Sequence, residues 1–230
     1  MAKILNIETS TEVCSLALSE NGAVLAYRED DKDKSHASKL TPFIDTVLNE
    51  TSTDIKAISA ICVSEGPGSY TGLRIGVSVA KGLCFGVDIP LIAVSSLKAM
   101  ASACINNTDN PGDFLFCPLM DARRMEVYTA MYDGKLQTVE DIHARSVDET
   151  TFEECLSKQN VIFFGNGADK CKEVITSPNA LFNDEIRCSA VYMARLSHEY
   201  FMAKKFKDVA YFEPYYLKDF IATKPKRKIF

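Results

Sequence analysis

No stretch of this 230-residue chain is apolar for long enough to cross a membrane as a helix. Met1-Ala2-Lys3 runs straight into an apolar strand pattern, so no signal peptide is read and a cytoplasmic protein is predicted. The eight cysteines include no Cys-x-x-Cys pair, and Cys14, Cys62, Cys84 and Cys117 lie in apolar runs. They read as small buried hydrophobes of a reducing compartment, not as disulfides or zinc ligands. The chain lacks the Gly-x-Ser-x-Gly elbow of serine hydrolases and the Gly-x-x-x-x-Gly-Lys-Ser/Thr phosphate loop. Its three histidines stand apart: His36 in a polar helix start, His143 in a loop-like stretch, His198 in a late helix. None is at ligand spacing to another, so no metal site is predicted. A basic surplus is also missing. The net charge is −5, which argues against this chain being the main grip on a nucleic acid. Short repeats and low-complexity tracts are absent. The 47% hydrophobic and 25% charged residues are those of ordinary globular chains, with core enough for one or two domains.

What is present centres on Glu65-Gly66-Pro67-Gly68-Ser69-Tyr70-Thr71-Gly72-Leu73-Arg74-Ile75-Gly76. An apolar run, Ile58 to Val63, predicts a buried strand ending at Ser64, and the pattern from Leu73 to Phe85 is helical. Between them Gly66-Pro67-Gly68 makes a tight turn, and Ser69 or Thr71 can cap the helix. A helix start leaves N–H groups pointing outward, so this corner reads either as an anion site or simply as a well-made strand-to-helix turn.

Along the chain, Lys3–Ile7 predicts a strand, and Val13–Leu18 with Ala23–Tyr27 predicts a hairpin about Asn21-Gly22. After a charged connector (Arg28–Lys34), a helix over about 35–49 presents Leu40, Phe43, Ile44, Val47 and Leu48 at helical spacing. A strand from Pro90 to Val94 and a helix over Ser95–Cys104 follow the central helix. Asn106–Asp113 is a dense loop signal that divides the chain into lobes 1–105 and 106–230. The second half predicts strands at Phe114–Leu119, Met125–Tyr132 and Lys135–Val139 with a turn at Asp133-Gly134. Beyond them lie a helix over Asp148–Lys158, a strand at Val161–Phe164, a turn at Gly165-Asn166-Gly167 and a helix over Ala190–Phe206. Asp121, Arg123, Arg124 and Glu126 form a charged cluster that reads as an ion-pair network or a catalytic pair. The basic tail Lys224–Lys228 reads as solvated or RNA-touching.

Three opening strands followed by strand–helix crossovers resemble a lobe of the actin–sugar kinase–Hsp70 superfamily, an α/β fold of actin-like ATPases with a ribonuclease H-like motif. Here the second lobe is reduced. Gly66-Pro67-Gly68-Ser69-Tyr70-Thr71-Gly72-Leu73-Arg74-Ile75-Gly76, with Ala80-Lys81-Gly82-Leu83, resembles the signature of the TsaB (YeaZ) family. Ile7-Glu8-Thr9-Ser10-Thr11, Asp121-Ala122-Arg123-Arg124-Met125-Glu126-Val127-Tyr128 and Glu213-Pro214-Tyr215-Tyr216-Leu217 extend the match over nearly the whole chain. The resemblance implies a non-catalytic assembly subunit in bacterial tRNA threonylcarbamoyladenosine synthesis, working with the catalytic paralogue TsaD and the small ATPase TsaE. The modified adenosine lies beside the anticodon, and tRNA is met only through the complex. TsaD-like sequences carry a histidine pair where this chain has Ser96 and Met100, with Lys98 where they have glutamate. The metal site is therefore expected to be lost. The likeness to actin-like ATPases would put Glu8, Ser10 and Thr11 beside a nucleotide, although Ser10 stands where such ATPases have glycine, and the helix start would add Gly66, Gly68 and Ser69. No cofactor is required, and ATP or ADP has a place at a subunit interface.

The resemblance also implies pairing through the first two helices, as a homodimer when alone and as a heterodimer with TsaD. On the residues, the helix over 71–86 carries one narrow polar stripe, Arg74, Ser78 and Lys81, and is otherwise apolar, so one side meets its own sheet and the other meets either the first helix or another subunit. Its predicted interface is Gly72, Leu73, Gly76, Val77 and Ala80, with Leu40, Phe43 and Val47 of the preceding helix. The rival readings are a metal-dependent glycoprotease-like hydrolase and a small-molecule kinase or ATPase of the same superfamily.

Overall fold

The computed structural model describes residues 1–31 and 36–218. The basic tail therefore lies outside the described residues, as does Ser35. The chain opens with β1 (Lys3–Glu8), β2 (Cys14–Glu20) and β3 (Ala23–Asp30), an antiparallel meander. Asn21 and Gly22 both take positive φ at the second turn, as a tight hairpin between right-twisted strands requires. Next come α1 (His36–Glu50), β4 (Ala60–Gly66), α2 (Tyr70–Val87), β5 (Leu91–Ser95) and α3 (Ser96–Asn106). β4 and β5 join β1 in parallel, giving the order β3-β2-β1-β4-β5.

A second five-stranded sheet is built from β6 (Phe114–Asp121), β7 (Glu126–Tyr132) and β8 (Thr138–Ser146), and, after the short α4 (Glu153–Leu156), β9 (Asn160–Phe164). One turn of helix, α5 (Ala168–Cys171), precedes the edge strand β10 (Ala180–Asn183). The order is β10-β9-β6-β7-β8. A 3-10 turn at Ala190–Met193 runs into α6 (Ala194–Met202), and an irregular strap over 207–218 follows.

Strand alternation sorts the first sheet into two faces. Leu5, Ile7, Ile61, Val63 and Leu91 pack under α1 and α2. Ile4, Ala60, Cys62, Ile92 and Val94 face the other way, against Ala99 of α3 and Met193 and Leu196 from the C-terminal part. α3 is buried on nearly all sides because it also packs Leu97, Met100, Ala101 and Cys104 against Phe116, Tyr132 and Phe164 of the second sheet. Apolar packing therefore crosses the 105/106 division. α3 belongs to both sheets, and 190–202 returns to the first.

Two local expectations are corrected. The β7–β8 hairpin closes through a longer loop with Leu136 at positive φ, and β8 begins at Thr138; His143 lies on this strand. The helix over 148–158 shrinks to α4, because Asp148 Oδ1 accepts from Thr150 N and from both threonine hydroxyls at 150 and 151.

Candidate functional site at the interlobe cleft and the outer face of α2

Between the sheets lies a cleft of about 660 Å³ lined by the β1–β2 turn, the start of α2, the β6–β7 connection, Asn166 and the strap. Ser10, Thr11, Gly68 and Ser69 line it; Glu8 and Gly66 do not. Glu8 is fully buried at the end of β1 and accepts from Ser10 N at 2.6 Å. Burial pushes its carboxyl above the usual carboxylate range, against the pull of its hydrogen bonds to Ser10. Gly66 holds positive φ beneath Tyr215 O.

The corner at α2 is closed against the β1–β2 turn. Ser69 N donates to Ser10 O at 2.6 Å, and Gly72 N donates to the capping Ser69 Oγ at 3.3 Å. Thr9 Oγ1 donates to Gly72 O at 2.8 Å. A side chain at Gly76 would collide with Thr9 Oγ1 and touch Ile7. Gly72 and Gly76 thus serve close approach to the chain's own first strand and the turn after it. His36 is buried, with Nε2 at 2.8 Å from Thr11 O, and joins the same wall.

In the single chain most of the residues predicted for the interface face inward. Leu40, Val47, Gly72, Leu73, Gly76, Val77 and Ala80 are buried toward the first sheet, and Phe43 packs half-buried on the same core. The outward face of α2 is the opposite one: Thr71, Ser78, Gly82, Phe85 and Gly86 are exposed, with Phe85 at 87%. Nothing lies within 4 Å of a Cβ built at Gly82 or Gly86. Arg74 and Lys81 carry the strap. Lys81 Nζ donates to Ala210 O at 3.0 Å and Phe212 O at 3.1 Å, and Tyr215 N donates to Glu65 O at 2.7 Å. The Arg74 guanidinium lies 4.2 Å from the Tyr70 ring centroid, and its Nε donates to Tyr216 Oη at 3.2 Å.

The charged cluster is partly an ion-pair network, but its arginines are not the cations in it. Asp121 pairs with Lys170 and Glu126 with Lys218. Lys170 Nζ also donates to Arg124 O and Glu126 O, each at 2.7 Å. Arg123 and Arg124 both hold positive φ, 72° and 49°. Such a backbone costs about 1–2 kcal/mol per non-glycine residue.

A family model described as "TsaD: tRNA N6-adenosine threonylcarbamoyltransferase" matches residues 30–223. The tRNA threonylcarbamoyladenosine biosynthesis protein TsaB of Bacillus subtilis (strain 168) is 35% identical over 175 residues, 75% of this chain and 74% of that one. The chain belongs to the TsaB (YeaZ) family. YeaZ from Pseudomonas aeruginosa superposes with a TM-score of 0.80 at 25% identity, over 94% of this chain and 100% of that chain. The activator of the 2-hydroxyisocaproyl-CoA dehydratase from Clostridium difficile, solved with bound ADPNP, covers 90% of this chain and 98% of its own at 9% identity, with a TM-score of 0.50. That likeness is one of fold, and the fold is the actin-like α/β arrangement.

For a chain of the TsaB family, the fate of the TsaD-like histidine positions is informative. Ser96 and Met100 are buried in α3; Ser96 Oγ has no hydrogen-bond partner, and Met100 Sδ lies 3.6 Å from the Cys188 thiol. Burial holds that thiol well above its ordinary pKa. A hydroxyl, a thioether and a protonated thiol do not fit a hard or borderline divalent ion. Among the described residues, no three His, Cys, Asp or Glu side chains are grouped to hold a metal, and no helix is long and apolar enough to cross a membrane.

Sequence reasoning missed the strap's docking on α2 and the roles of Lys170 and Lys218. Arg74, Ser78 and Lys81 were legible as a polar stripe, which was the available signal for something lying across it.

Proposed function

We propose that this protein is a non-catalytic assembly subunit of a tRNA threonylcarbamoyladenosine-forming complex, and that α2 presents its outward face to a TsaD partner. The observation that carries this reading is that face: Phe85 stands out in solvent beside Ser78, Gly82 and Gly86, whose lack of bulk lets another helix come close. Exposed large apolar side chains framed by polar ones are a common mark of protein contact. A homodimer uses the same face when TsaD is absent, and TsaE joins the assembled pair. The threonylcarbamoyl group passes from its adenylate to the tRNA adenosine on TsaD. Two features support a silent role for this chain. Its β1–β2 turn and the start of α2 are bonded to each other, and Ser96 and Met100 are packed in a core. In this reading the chain needs no cofactor of its own, and an adenine nucleotide sits where subunits meet.

The test is Phe85→Asp and Gly82→Arg, compared with wild type by sedimentation alone and mixed with purified TsaD, and by tRNA modification with TsaD and TsaE. Both variants should stay folded by circular dichroism, lose association and abolish modification. Variants that bind TsaD as tightly as wild type would remove this face from the complex. Modified adenosine formed by the isolated chain would end the non-catalytic reading.

A further inference from the structure

We propose that the β6–β7 connection is a phosphate-binding loop that holds an RNA backbone at the rim of the interlobe cleft. The proposal rests on the functional reading only in taking RNA to be the polyanion that reaches this protein. Four charges crowd residues 121–126, yet both carboxylates are satisfied from elsewhere, Asp121 by Lys170 and Glu126 by Lys218. Arg123 and Arg124 are exposed and make no ion pair with a described residue. Guanidinium forks match phosphate oxygens in geometry and charge.

The loop is built, not slack. Arg123 N donates to Asp121 Oδ1 at 3.0 Å, Ala122 N to Glu126 O at 3.0 Å and Asp121 N to Asn166 Oδ1 at 3.1 Å. The three Lys170 contacts pin it from below. So fastened, two consecutive arginines are kept in a left-handed backbone where asparagine or glycine is usual. Strain persisting at a well-determined surface loop points to use of the side chains it aims.

The placement selects a chain-like ligand. Arg123 lines the cleft beside Tyr128, Tyr216 and Lys218, whereas Arg124 does not line it. Lys218 Nζ, paired with Glu126, lies 5.8 Å from the Tyr128 ring centroid, so an ion-paired lysine and a phenol flank Arg123 on the cleft side. A small nucleotide seated in the cleft would reach Arg123 alone. A strand crossing the rim reaches both arginines and leaves a base free to stack on Tyr128. A chain of net charge −5 can hold such a local contact without being the main RNA surface.

The experiment measures tRNA binding by fluorescence anisotropy over a range of salt, with the chain in complex with TsaD and also alone at low salt. Wild type is compared with Arg123→Asn/Arg124→Asn, since asparagine tolerates positive φ and preserves the loop. The expected result is binding about tenfold weaker, with the log–log salt slope lower by about 1.4, or 0.7 for each single-strand phosphate lost. Equal affinities and slopes in both formats would overturn the proposal. ATP that competes fully with tRNA at the wild-type loop would assign the arginines to a small nucleotide and overturn it as well. If wild type forms no complex with TsaD, the functional reading fails by itself, and the chain-alone titration still decides the loop.

Discussion

Gly76 and Gly82 lie six residues apart on α2 and meet opposite surroundings. A methyl group at 76 strikes Thr9, so Gly76→Ala should cost about 1–3 kcal/mol in urea unfolding. At 82 the methyl meets open space, and Gly82→Ala should raise stability by up to about 1 kcal/mol through helix propensity. Val77→Glu places an unpaired charge in the first core; it should unfold the protein, seen as lost circular dichroism, and so cannot report on a partner. Glu8 gives a pH signature. Its folded pKa lies above the ordinary 4.5, so its contribution is fully present below that value and is lost as pH rises through the folded pKa. Glu8→Gln should therefore gain on wild type as pH climbs above 4.5, measured as the difference in urea midpoints. Much at this scale was legible: the Ser69 cap, the tight turn and the buried thiols follow from residue type. The rotation of α2 was not, because Leu73, Val77 and Ala80 on one flank and Ile75 and Val79 on the other are equally apolar. Contacts with Ile7 and Thr9, more than sixty residues away, decide which flank turns inward.

The strap depends on few contacts. Lys81→Met removes two hydrogen bonds from a charged donor, each worth about 1.5–3 kcal/mol. The amide of Tyr215, bonded to Glu65 O, should then exchange at least tenfold faster by mass spectrometry, with the strands unchanged. Strand–helix order in the first half was readable from apolar periods and turn residues, including the Asn21-Gly22 hairpin. In the second half, β10 is a four-residue edge strand too short to show alternation, and the helix pattern at 148–158 lost to side-chain bonds from Asp148, Thr150 and Thr151. The paired carboxylates of the β6–β7 connection were visible as charge. Their partners were not, because Lys170 and Lys218 come from remote elements.

Across the whole molecule the eight cysteines are free thiols, seven buried and Cys155 half-buried. Burial pushes Cys14, Cys84, Cys104 and Cys171 up to about 11, two units above the ordinary 9.0, which leaves about a hundredfold less thiolate. An aromatic disulfide reagent should modify Cys155 first in the native protein, and all eight together in denaturant; rapid native reaction of several would show a looser interior. The actin-like plan was legible as an order of elements, but the sharing of α3 between sheets was not, since a uniformly apolar helix does not say how many neighbours it has. The return of α6 to the first sheet bears on how the chain is made. A ribosome delivers β1, β4 and β5 well before Met193 and Leu196, which cover Ile4, Cys62 and Ile92. Through most of synthesis one flank of the earliest sheet is therefore uncovered, a surface a holdase chaperone would bind. A nascent chain stalled before residue 190 should be protease-sensitive in its first sheet, and resistance there should arrive abruptly once α6 clears the exit tunnel.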